Sequence, residues 1–365
     1  MKSRAWLAGV LNGKVNTPAA VCARVLLSAL SLLYFAGLKA GKLARKIAGA
    51  KTAPCFVISV GNITLGGTGK TPLVIKIASK LAENGVPCAV VTRGYGRTNP
   101  ALQVIVSDGR NILAGASEGG DEPLLIAEKT RGVPVIADSD RHRGCLTASG
   151  KFNAKVVILD DGFQSRYKLD RELDIVALDA SNPFGSGFIF PAGTLREPAS
   201  SLKEADIVFL SKSNQGDSAA LEKIIKALAP GALVARGAFM PAVFYEFGAE
   251  RKRVAPEALK GRHAAAFCAI AEPRSFYKTL VDLSPQKVEL IDFPDHHRYT
   301  EAEMNRVNEK LACADYAVTT EKDAVKIPKD FQFAKPLLVL EMELVIAESG
   351  EFFGRIMQEI NDARG

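Results

Sequence analysis

VISVGNITLGGTGKTP, residues 57–72, reads as a strand, a glycine-rich turn and the start of a helix. Phe56, Val57, Ile58 and Val60 are β-leaning and apolar, whereas Leu73, Ile77 and Leu81 recur at helical spacing beyond the turn. A turn of this composition lets backbone N–H groups converge on phosphate oxygens at the positive end of a helix. The expected nucleotide-binding residues are Thr64, Leu65, Gly66, Gly67, Thr68, Gly69, Lys70 and Thr71. Lys70 would reach the β/γ phosphates and the Thr71 hydroxyl would ligate Mg²⁺. The strict pattern has glycine six residues before the lysine, where this chain has Thr64. The bland alternative is a glycine-rich β–α turn beside an ordinary lysine.

Downstream, further apolar runs end in polar turns. Val86 to Val91 empties into Arg93-Gly94-Tyr95-Gly96-Arg97, and Val133 to Ala137 into Asp138-Ser139-Asp140-Arg141. The run Val156 to Leu159 ends in Asp160-Asp161-Gly162-Phe163-Gln164. A buried strand ending in carboxylate is how a P-loop protein holds Mg²⁺, so Asp160 and Asp161 are the expected metal ligands, directly or through water. Gly119-Gly120-Asp121-Glu122-Pro123 precedes a helical pattern, where acidic residues simply favour the helix N-terminus. Strands alternating with helices imply an α/β fold with a mostly parallel sheet covered on both faces. The expected division is a basic, apolar segment at 1–50, a P-loop domain at 51–238, a linker at 239–256 and a smaller α/β domain at 257–365.

Charge is unevenly distributed along the 365 residues. Twelve Lys and Arg precede the first acidic residue, Glu83, although the whole chain is only +7. The segment 25–38 is uncharged and apolar, and Lys39, Lys42, Arg45 and Lys46 follow it. It is short for a bilayer span, which needs about 20 residues. A helix lying in or dipping into an anionic membrane fits better than a signal peptide or a buried core helix. The basic end lacks the aromatic-interleaved pattern of a nucleic-acid binder. Six scattered cysteines form no C-x-x-C pair and suit a reducing compartment.

GNITLGGTGKTP, RGYGR, GDEP, DDGFQ, PAGTLREP, FPDHHRYT and TTEKDAVK, in that order, resemble the tetraacyldisaccharide 4′-kinases, the lipid A kinases of Gram-negative bacteria. The resemblance implies transfer of the ATP γ-phosphoryl to the 4′-hydroxyl of an acylated glucosamine disaccharide 1-phosphate. The work would take place at the cytoplasmic face of the inner membrane, without an obligate protein partner. It also implies two α/β/α units joined by a short β linker, with the site between them. Asp121 would be the base, supported by His296, while Arg141, Gln164, Arg196 and Glu197 would lie near the headgroup. Two motifs depart from the family pattern: Ser165 replaces the histidine after DDGFQ, and Ala269-Ile270-Ala271-Glu272-Pro273 stands where GIGNP is usual.

Two rivals use the same loop. A GTP-driven switch or metallochaperone acting on a protein needs Asn-Lys-x-Asp for guanine, and Ser211-Lys212-Ser213-Asn214 lacks both the first Asn and the Asp. A membrane-bound ATPase scaffold would hydrolyse nucleotide without phosphorylating lipid.

Overall fold

The computed structural model describes residues 17–248, 252–270, 273–295, 297–328 and 331–363. Thr17 caps α1 (Pro18–Ala48), its hydroxyl accepting from the Ala20 N–H, and proline sits favourably in the first turn. This helix is longer than the uncharged stretch inside it, because lysine and arginine propagate a helix as readily as leucine does. By length and composition, residues Pro18–Ala44 could cross a membrane.

The nucleotide half follows as β1 (Phe56–Gly61), α2 (Lys70–Glu83), β2 (Cys88–Thr92), β3 (Val104–Asp108), α3 (Ala116–Gly119), α4 (Asp121–Lys129), β4 (Pro134–Ala137), α5 (Arg141–Phe152), β5 (Val156–Asp160), β6 (Leu173–Asp179), β7 (Ile207–Ser211) and α6 (Ser218–Leu228). The second half comprises β8 (Leu233–Glu246), β9 (Arg253–Val254), β10 (His263–Cys268), α7 (Pro273–Asp282), β11 (Lys287–Asp292), α8 (Glu301–Lys310), β12 (Tyr316–Thr320), α9 (Glu321–Ala324), β13 (Leu337–Ile346) and α10 (Ser349–Asp362).

Among the described residues, all thirteen strands join one sheet in the order β11-β10-β12-β13-β8-β7-β6-β1-β5-β2-β4-β3, with β9 beside β8. Most neighbours are parallel; β3 with β4, β8 with β13 and β8 with β9 are antiparallel. Strand β1 is buried at every residue between β5 and β6. Its side chains alternate between faces: Ile58 and Val60 pack with Leu73 and Ile77 of α2, whereas Val57 packs with Cys145 and Ala148 of α5. The second half repeats this scheme, with α7 on Ala264 and Ala266 of β10 and α8 on Ala265 and Phe267. Helices therefore cover both faces of a mostly parallel sheet.

Two features join the halves more closely than a linker would. Leu233 to Arg236 of β8 pair in parallel with β7, and from Gly237 the same strand pairs antiparallel with β13, so the 239–246 stretch is sheet. Helix α10 then returns to the nucleotide half. Its Phe352, Phe353, Ile356 and Ile360 share a core with Leu73 and Ile77 of α2.

Candidate active site

The loop between β1 and α2 starts from a strand with no edge and ends at Gly69, which adopts φ +77° ahead of the helix. A Cβ at Gly69 would lie 2.7 Å from the ring of Phe239 on β8, so both backbone angle and space demand glycine. Thr68 and Thr71 are buried, whereas Leu65, Gly66 and Gly67 are exposed. The loop is braced from below. Asn62 Nδ2 donates to Thr64 O at 2.6 Å, and Gln164 Nε2 donates to Asn62 O at 2.7 Å. It is also braced from the side, where Leu65 N–H donates to Thr194 O and Arg196 N–H to Ile63 O, both at 2.7 Å.

Strand β5 lies immediately beside β1, with Asp160 in register with Val60. The two carboxylates thus emerge next to the phosphate loop. Lys70 Nζ is 3.6 Å from Asp161 Oδ1, and Arg196 Nη1 donates to the same oxygen at 2.9 Å and to Asn62 Oδ1 at 3.2 Å. Burial would raise the Asp161 carboxyl, but Lys70 and Arg196 outweigh it and hold it below the usual value. Asp161 adopts φ +53°, a left-handed conformation that aspartate tolerates better than most residues.

Asp160 experiences the opposite balance. Burial first, and then the charge of Glu122, push its carboxyl up to about 7 despite Lys70 and Arg141. Its Oδ1 is buried without a hydrogen-bond partner. A buried carboxyl with an orphaned oxygen, adjacent to a second carboxylate at the strand end next to the phosphate loop, offers oxygen donors of the kind a hard divalent cation takes. Arg141 braces the floor from the N-terminus of α5: Nη2 donates to Asp160 O at 2.7 Å and Nη1 to Asp138 O at 3.0 Å. Asp140 caps that helix, accepting from the N–H groups of His142 and Arg143.

Asp121 opens α4 directly after Gly120. The neighbouring Glu122 connects this helix to the second half, where Lys322 Nζ from α9 lies 3.1 Å from its Oε1. Partial desolvation lowers the Lys322 ammonium, but Glu122, Asp160 and Asp295 more than compensate and raise it. The sequence suggests only a helix-terminus role for Glu122 and none for Lys322; contact between residues 200 apart leaves no local trace. The rest of that motif is structural: Asp323 is buried, accepting from Ala269 N–H and pairing with Lys326 at 3.1 Å.

Beside these groups opens a cleft of about 660 Å³, lined by Lys51, Arg93, Arg141, Asp161, Gln164 and Arg196 among others. Ser165, in place of the expected histidine, also lines it, with its hydroxyl donated to Gly162 O at 2.6 Å. Glu197 departs from its expected place at the headgroup. It is 2% exposed, bonded to Arg166 and 2.8 Å from Lys42 of α1, so it ties helix to loop. Its carboxyl is held low because those two cations outweigh its burial.

The expected histidine, His296, lies outside the described residues, as do Ala271 and Glu272. Its neighbour His297 is engaged elsewhere: Nε2 is 2.9 Å from Glu303 Oε2 and the ring stacks on Phe293. Glu303, which completes a capping box with Thr300, is held at about 2, chiefly by His297. At the guanine-like stretch, Lys212 pairs with Asp179.

A phosphate loop after a central parallel strand, with the adjacent strand ending in paired carboxylates beside its lysine, defines a P-loop nucleotide-binding protein. A family model described as tetraacyldisaccharide-1-P 4′-kinase matches residues 23–361. The chain is 38% identical over 356 residues to the tetraacyldisaccharide 4′-kinase of Syntrophus aciditrophicus, covering 93% of both. It is 42% identical over 275 residues to that of Anaeromyxobacter sp. (strain Fw109-5), covering 74% of this chain and 73% of the relative. The crystal structure of LpxK from Aquifex aeolicus in complex with ATP superposes with a TM-score of 0.74 at 27% identity, covering 92% of this chain and 99% of that one. The chain belongs to the tetraacyldisaccharide-1-P 4′-kinase family.

Proposed function

We propose that this chain transfers the γ-phosphoryl of ATP to the 4′-hydroxyl of a tetraacylated glucosamine disaccharide 1-phosphate, a step of lipid A biosynthesis at the cytoplasmic face of the inner membrane. The observation that carries the reading is the convergence of Lys70, Asp161 and Arg196 at the strand end next to the phosphate loop, with Asp160 buried and unsatisfied beside them. In this reading the loop amides and Lys70 cradle the phosphates, and Thr71, Asp160 and Asp161 hold Mg²⁺, which when bound neutralises phosphate charge. Asp121 receives the proton of the attacking hydroxyl, and His296 supports its carboxylate. The basic cleft, with Arg93, Arg141 and Arg196, takes the sugar phosphate headgroup.

The acyl chains have somewhere to go. Helix α1 exposes Val25, Leu26, Leu32 and Leu33, its lysines can reach lipid phosphates, and Lys42 fixes it to Glu197. The test is incubation with ATP, Mg²⁺ and the monophosphorylated acylated disaccharide, followed by mass analysis. One added phosphate on the non-reducing sugar is expected; nucleotide hydrolysis without a phosphorylated lipid would overturn the reading.

A further inference from the structure

Next to α1 the chain carries a second exposed apolar surface. Residues 182–195 contain no charged side chain, and at the tip of this loop Phe188 is 60% exposed and Phe190 42%. Leu65 of the phosphate loop, joined to the same loop through Thr194, is 48% exposed.

The loop is also prepared for a dry environment. Phe190 N–H donates to Leu195 O at 2.8 Å, Leu195 N–H to Phe188 O at 3.1 Å, Gly193 N–H to Ile189 O at 3.1 Å and Gly187 N–H to Phe184 O at 2.9 Å. A segment entering lipid must satisfy its own backbone polar groups, and this tip already does so in large part.

It is continuous with the helix. Ser31 of α1 donates to Ile189 O at 2.8 Å and accepts from Ala192 N–H at 3.0 Å, and Tyr34 meets the Phe190 ring edge-on at 5.7 Å. Beside that seam α1 exposes Leu26, Leu30 and Leu33, and lysines follow at 39 and 42.

We infer that Phe188 and Phe190 insert into the same anionic leaflet as α1, so that the protein grips the bilayer with two elements rather than one. The inference rests on the membrane-associated reading of α1. Because Arg196 follows the loop directly and pairs with Asp161, a seated loop sets the basic cleft at the depth of the lipid headgroups. The occupant is the bilayer itself and not the substrate's acyl chains.

Full-length protein carrying Trp6→Phe, with a single new indole from Phe188→Trp or, separately, Leu33→Trp, is mixed with substrate-free vesicles of phosphatidylethanolamine and phosphatidylglycerol, with and without brominated chains. The expected result is a blue shift and bromolipid quenching at both positions. A shift at 33 alone, or a shift at 188 that needs added acyl disaccharide, overturns the second anchor and leaves the helix reading intact. No shift at either position removes both. In a flotation assay, Phe188→Ser and Phe190→Ser should each weaken vesicle partitioning by about tenfold, and unchanged flotation of the double variant would also overturn the inference.

Discussion

Asp160 and Asp161 are adjacent in sequence and opposite in electrostatics. Asp161 is neutralised by Lys70 and Arg196, whereas Asp160 is buried and raised from its usual 3.8 to about 7. The folded chain therefore retains a proton on Asp160 that the unfolded chain releases. In the metal-free protein Asp160 thus contributes a loss of stability as pH rises from about 4 to about 7, on the order of a few kcal/mol. Melts in chelator should show that slope, and Asp160→Asn should flatten it; an unchanged slope in the variant would place the titrating group elsewhere. For Asp121, its position at the start of α4 allows either a helix-terminus role or proton acceptance. Asp121→Ala should reduce kcat by at least about a hundredfold while ATP affinity is retained, as loss of a general base demands. Loss of ATP affinity with kcat preserved would leave only the helix-terminus role. The Asp160-Asp161 pair is legible in the sequence because it sits where an apolar run meets a polar turn, whereas the residues around Asp121 suggest only a helix N-terminus and its role as base comes from the family resemblance. The difference between the two paired carboxylates is not legible, because burial and neighbouring cations come from tertiary packing.

Among the elements, the short buried strands β1, β5, β6 and β7 were the most legible, since parallel strands covered on both faces are continuously apolar. For residues 239–246 of strand β8 the sequence suggests a linker or a short hairpin, and the family resemblance a short β linker. Pro241 and a partly exposed residue pattern hide a strand that is buried along only part of its length. Edge strand β3 and the long β13 went unassigned for similar reasons, and Glu197 gave no hint of its burial because a charged pair in the interior resembles a surface pair in sequence. Its consequence can be measured. Glu197→Ala leaves Arg166 and Lys42 without their shared carboxylate, and should destabilise the protein by about 3 kcal/mol in urea unfolding, with Glu197→Gln less severe. Unchanged stability together with a raised KM for lipid would restore a headgroup contact.

At the scale of the whole molecule, polar contacts bridge the two halves close to the candidate site. Lys322 reaches Glu122, Lys129 pairs with Glu321 and, at 2.8 Å, with Glu341, and Arg298 donates to Gly96 O at 3.3 Å. Lys322 sits in the field of Asp160 as well, so Lys322→Met removes a positive charge next to Glu122 and the proposed metal ligands. It should lower the Mg²⁺ concentration needed for half-maximal rate by about tenfold, an effect near 1.4 kcal/mol, because a nearby cation no longer opposes the metal. A normal Mg²⁺ titration would reduce Lys322 to a strut. Helix α10 has a separate consequence for biosynthesis. Its phenylalanines complete the core beneath α2, yet the ribosome makes them only after every strand of the second half. The nucleotide half therefore cannot finish folding as it emerges. The greasy α1, translated early, waits through most of translation beside an incomplete partner, and a nonsense codon at Ser349, past the last strand of the second half, would damage the phosphate-binding half more than the half in which it falls.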